Sequence, residues 1–82
     1  MYIITNTQFN ADGHGHPYTK IVATFTGRDE AEARFNELLS INKMSNDPFD
    51  TDITMRGPRA FSVYDSWSGT VNAYKLHEYT ND

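Results

Sequence analysis

His14 and His16 lie two residues apart, just after Asp12, in the segment Asp12-Gly13-His14-Gly15-His16. Two imidazoles at that spacing can chelate one divalent cation on an extended backbone. Asp12 would add an oxygen, and His77 a third nitrogen if the last strand passes nearby. A zinc site usually takes three or four protein ligands, however, and the glycines beside His14 favour a solvated loop over a preformed site. No metal and no cofactor is expected; His14, His16 and Asp12 are the residues that would carry the alternative, a metal-binding protein or metal-dependent enzyme. Asp47, Asp50 and Asp52 form an acidic cluster. Asp50 and Asp52 share a strand face about 6–7 Å apart, a separation that suits paired carboxylates acting on a sugar. It also describes any solvated strand face, and nothing in the pattern implies a pocket that would shift either pKa. Ser66 and Ser68 flank Trp67 without the Gly-x-Ser-x-Gly elbow of a serine nucleophile. Gly13 and Gly15 lack the strand-to-helix setting of a phosphate-binding loop. With no cysteine there is no disulfide, thiolate zinc site or thiol nucleophile. No catalytic residue is assigned, and the chain is not expected to be an enzyme.

Contact chemistry is better represented. Trp67 is the only tryptophan, and it sits in a polar turn, Asp65-Ser66-Trp67-Ser68-Gly69. A large ring there is either a lid over the sheet edge or an anchor for a partner, since tryptophan and tyrosine dominate interface hot spots. Tyr64 and Tyr74, placed on the outer faces of neighbouring strands, would extend the patch. Arg56 and Arg59 bracket Gly57-Pro58 and could together grip a carboxylate or phosphate. The expected partner-binding residues are therefore Trp67, Tyr64, Tyr74, Arg56 and Arg59, with an acidic helix face of Glu30, Glu32 and Glu37 second.

The elements that must position these residues follow from hydrophobic period. Residues Tyr2 to Phe9 alternate as a strand, with Ile3, Thr5, Thr7 and Phe9 opposite Tyr2, Ile4 and Asn6. A Gly- and Pro-punctuated loop follows. Thr19 to Thr26 is a second strand, β-branched, with Ile21, Ala23 and Phe25 on one side. The period then changes to 3.6. Ala31, Phe35, Leu38, Leu39 and Asn42 form one stripe of a helix of about four turns. Thr26 reads as its N-cap, Asp29, Glu30 and Glu32 crowd its first turn, and Lys43 sits near its end, all with the favourable dipole sign. Ser45-Asn46-Asp47-Pro48 stops it. Phe49, Thr51, Ile53 and Met55 alternate in a third strand, Arg59 to Asp65 make a fourth, and Thr70 to Tyr79 a fifth. The order ββαβββ predicts a two-layer α+β domain: one helix on one face of an antiparallel sheet of about five strands. Phe35, Leu38 and Leu39 should meet Phe25, Ile53 and Phe61. Tyr2, Ile4, Val22, Tyr64, Tyr74 and Leu76 should remain partly open on the other face.

Eighty-two residues make one domain, 1–82, with a modest core. Its 13% aromatic content lets few positions bury much area. A net charge of -4 opposes direct binding to nucleic acid or an anionic membrane; it reads as ordinary solubility or as an acidic face offered to a basic groove. No apolar run is long enough to span a membrane, Met1-Tyr2-Ile3-Ile4 does not open a signal peptide, and a cytoplasmic protein is expected. In being short, acidic, cysteine-free and single-domain α+β, the chain resembles small accessory proteins encoded by bacteriophages, including anti-CRISPR proteins. That resemblance implies non-catalytic inhibition of a larger protein machine by surface contact in the host cytoplasm. Self-association through an exposed strand edge is a further expectation.

Overall fold

The computed structural model describes residues 1–45 and 51–79. The described chain runs β1 (Tyr2–Asn10), β2 (Tyr18–Phe25), α1 (Arg28–Ser45), β3 (Thr51–Gly57), β4 (Ala60–Asp65) and β5 (Thr70–Glu78). The five strands form one open antiparallel sheet in the order β2-β1-β5-β4-β3. The α+β class and the ββαβββ order therefore hold. Helix α1 carries the chain from one sheet edge, β2, to the other, β3. That long traverse is what allows the last three strands to form a meander.

The helix begins one residue later than the Thr26 cap predicts. Ala31 N–H donates to the carbonyl of Gly27, which makes Gly27 the capping residue, and β2 has already ended at Phe25. Asp29 and Glu30 in the first turn and Lys43 in the last match the helix dipole. The apolar stripe docks as its spacing requires. Ala31 and Phe35 are buried, and Leu38 and Leu39 pack half-buried against the same cluster.

The helix covers the expected face of Phe25, Ile53 and Phe61, but that face also holds residues expected on the other side. Ile4, Phe61, Val63 and Leu76 lie in the core, with Tyr2, Val22, Phe25, Ile53 and Tyr74 packed against them. Five of the six residues expected on the open face thus lie under the helix, and only Tyr64 is outside. The cause is register. Ile4 pairs with Leu76, and Phe61 pairs with Tyr74, so each pair shares one face. Phe61 stacks on Tyr74 with ring centres 5.0 Å apart and meets Phe35 at 5.3 Å.

β2 holds a second departure. The register shifts between Ile4 and Thr5 of β1, so that Ile4 pairs with Ala23 and Thr5 with Ile21. Val22 is the extra residue of a bulge. It reaches the core cluster, while Ile21, which alternation places beside Phe25, is 63% exposed on the uncovered face.

Candidate functional site

The turn between β4 and β5 is closed by its own backbone and by two short polar side chains. Gly69 N–H donates to the Asp65 carbonyl at 2.8 Å. Asp65 Oδ1 accepts from Trp67 N–H at 3.0 Å, and Ser68 Oγ accepts from Thr70 N–H at 3.3 Å. Gly69 adopts φ +70°, a left-handed conformation that a side chain disfavours. The Gly69 carbonyl in turn accepts from Ala11 N–H at 2.8 Å, which ties the turn to the start of the β1–β2 loop. Trp67 rides on this fixed turn with 82% of its surface exposed. An exposure this high does not fit a ring lying as a lid over the sheet edge.

Strand pairing gives the ring its neighbours. Asp65 pairs with Thr70 at the foot of the turn, and the next pair is Tyr64 with Val71. Val71 pairs with Phe9 on its other side. Phe9, Val71 and Tyr64 therefore form one cross-strand row on the uncovered face beside the Trp67 turn. Phe9 and Tyr64 are both partly exposed. Tyr74 does not join them. Its pairing with Phe61 turns it to the helix side, where it is half-buried. Phe9 takes its place in the row. Phe9 was visible in the sequence as the outer end of an alternating strand, but only register brings it beside Tyr64.

The two arginines do not act together. Arg56 donates from Nε to Ser62 Oγ at 3.3 Å. Arg59 donates from Nη2 to Glu32 at 3.0 Å and from Nη1 to Glu78 at 3.3 Å. Glu78 pairs with Tyr2 on the helix side, whereas Ser62 pairs with Ala73 on the other. The bulge at Arg56, between Met55 and Gly57, parts the two guanidiniums. Glu32 also accepts from Arg28 Nε at 3.1 Å. Hydrogen bonds from Arg28 and then Arg59 hold its carboxyl below the ordinary carboxylate range. Glu32 is thus a strut between helix and sheet, not part of an outward acidic face. Glu37 pairs with Arg34 at 2.9 Å, and Glu30 is exposed. A cleft of about 370 Å³ lies along this strut, lined by Arg28, Glu32, Phe35, Asn36, Pro58, Arg59 and Leu76. Its cations already face carboxylates.

The histidine loop is not assembled as a metal site. His14 N–H donates to Asp12 Oδ1 at 2.9 Å, and Asn10 Nδ2 donates to the His14 carbonyl at 2.7 Å. These bonds use Asp12 to shape the loop. His77 pairs with Ile3 at the far end of the sheet, seven residues along β5 from Thr70, or about 23 Å by strand rise. Its Nε2 lies 2.8 Å from Thr5 Oγ1, and burial followed by the charge of Lys75 lowers its pKa. Among the described residues no three His, Asp or Glu side chains converge. Of the acidic cluster only Asp52 can be placed, exposed opposite Tyr64; Asp47 and Asp50 lie outside the described residues. No described helix is long and apolar enough to cross a membrane.

Comparison of the chain with protein-family models, curated proteins and solved structures finds no match.

Proposed function

We propose that the protein is a non-catalytic binding module that docks on a larger protein through the β4–β5 turn, with Trp67 as its anchor and Tyr64 and Phe9 beside it. One observation carries this reading: the sole tryptophan is 82% exposed on a turn whose backbone is already hydrogen-bonded in place. Exposing an indole is unfavourable unless a partner covers it. A fixed turn loses little further freedom on binding, so more of the ring's burial appears as affinity. The finer reading, an inhibitor of a host machine of the anti-CRISPR kind, rests on the resemblance of size and composition.

The test is quantitative capture. The intact chain is immobilised, a partner is recovered from host lysate, and its affinity is measured against wild type and Trp67→Ala. The affinity should fall by about 2 kcal/mol or more, roughly thirtyfold. Folding stability should change by no more than about 0.5 kcal/mol, as for other exposed positions. Equal affinity for a folded Trp67→Ala protein would end the proposal.

A further inference from the structure

We propose that the uncovered face of the sheet is the contact face of a symmetric dimer, in which two copies of this chain stack sheet on sheet with their helices outermost. The inference goes beyond the Trp67 reading and shares Tyr64 and Phe9 with it at one end of the face, whereas its centre lies at Thr7 and Ala73, away from the turn.

Shape gives the first argument. The molecule is a plate of 42 × 28 × 18 Å. Its radius of gyration is 13.4 Å, whereas a compact 82-residue domain has about 11.7 Å. Its accessible surface is 5753 Å², against about 5,000 Å² for a compact monomer of this mass. The surplus, roughly 700 Å², approaches the roughly 800 Å² that each partner gives to a standard stable interface. Five strands at about 4.8 Å spacing, each six to nine residues long, present roughly 600 Å² of flat face before side-chain relief is added. The bare face is thus the right size for a second copy.

Its chemistry suits burial. Thr7, Ala73, Ser62 and Thr54 form the central cross-strand row, all small and uncharged. Small side chains at Thr7, Ala73 and Thr54 let two sheets approach to about 10 Å, while Ser62 is already buried and bonded to Arg56. Four hydroxyls of the face, those of Thr5, Thr7, Thr19 and Ser62, already have partners within it. Thr7 Oγ1 lies 2.9 Å from Thr19 Oγ1, Thr5 Oγ1 bonds His77, and Ser62 Oγ accepts from Arg56. Covering these bonded hydroxyls leaves none of them without a partner, which lowers the cost of burying this part of the face.

Charge and edges favour a second copy over extension of the sheet. The chain carries -4 overall. The paired positions of this face hold Asp52 and Lys75, and Arg56 reaches into it. Among the described residues this face carries no acidic excess, so two copies repel little when these faces meet. The edge strands are poor templates for pairing. β2 is bulged at Val22 and β3 at Arg56, and bulges and charges blunt sheet edges. Self-association expected at a strand edge is thereby assigned to the face.

Sedimentation equilibrium of the full chain tests this at about 100 µM, well above a micromolar dissociation constant. The expected mass is twice the chain's 9.4 kDa. Ala73→Arg places a guanidinium at the centre of the face and should return the mass to 9.4 kDa with an unchanged far-ultraviolet spectrum. Thr54→Arg, on an exposed position of the same row, should do the same, whereas Ser40→Arg on the exposed side of the helix should leave the dimer intact. A wild-type mass of 9.4 kDa at that concentration would overturn the proposal. So would a dimer that persists in either folded face variant.

Discussion

Replacing Phe61 by alanine should remove a large part of the folding free energy of this protein. Phe61 is fully buried, at 0% exposure, and pairs with Tyr74 in the β4–β5 ladder. It contacts Phe35 from the helix and Tyr74 from the neighbouring strand. Truncating a buried phenylalanine costs about 3–5 kcal/mol. Each of the two ring pairs contributes about 0.5–1.5 kcal/mol beyond burial, which places Phe61→Ala in the upper half of that range. A domain of this size has a total stability of roughly 4–12 kcal/mol. The variant should therefore be marginally folded or unfolded at 25 °C. Urea titration followed by far-ultraviolet circular dichroism is the suitable assay. Trp67 is too exposed for its fluorescence to report core unfolding strongly. A folded variant losing 4 kcal/mol would show its melting temperature lowered by about 16–32 °C. A loss below about 1 kcal/mol would refute the argument, because a group buried to this degree cannot be removed so cheaply unless Phe35 of the helix does not pack on it.

Leu38 is only half-buried, so Leu38→Ala should cost about 1–2 kcal/mol in the same titration, clearly less than Phe61→Ala; equal losses would contradict the packing described. Asp65→Ala removes the acceptor of Trp67 N–H, and it should cost about 1 kcal/mol of stability and weaken partner binding by loosening the turn, both read on one purified variant. Glu32 has its folded pKa lowered, so its contribution is full above the unfolded carboxylate value of about 4.3 and is lost as pH falls through the folded value. Stability measured by urea at pH 6 and below pH 4 should fall less in Glu32→Gln than in wild type, and an unchanged pH dependence would show that the Arg28 and Arg59 bonds do not form in solution. His77, with its pKa lowered by burial, should titrate by NMR below the ordinary histidine value of about 6.5, and its contribution to stability should decline as pH falls through that region. Zinc calorimetry should show no tight site of one ion per chain; tight binding abolished by His14→Ala and by His16→Ala would show instead that the loop closes on metal.

Element type and order are local properties, and they were legible in the residues. Strict alternation in Tyr2–Phe9 and Ile53–Met55, the Ala31–Phe35–Leu38–Leu39 stripe, and the Gly57-Pro58 and Ser66–Gly69 breaks place the five strands and the helix within a residue or two. The isolation of Trp67 in a polar turn was equally plain, because a turn's residues are neighbours in the chain. Alternation fixes the two faces of each strand but not how the faces of different strands correspond. That depends on register, which only hydrogen-bonded pairing sets. Hence Tyr64 and Tyr74, both outward by inspection, fall on opposite faces, and Ile4 and Leu76 lie beneath the helix. A bulge shifts the phase again within one strand, which is why Val22 turns inward and Ile21 outward, and why Arg56 and Arg59 part company. The side the helix covers is likewise a tertiary outcome. The face bearing Ile4, Phe61, Val63 and Leu76 offers more apolar area than the face of small hydroxyl side chains, and the stripe docks where it buries most.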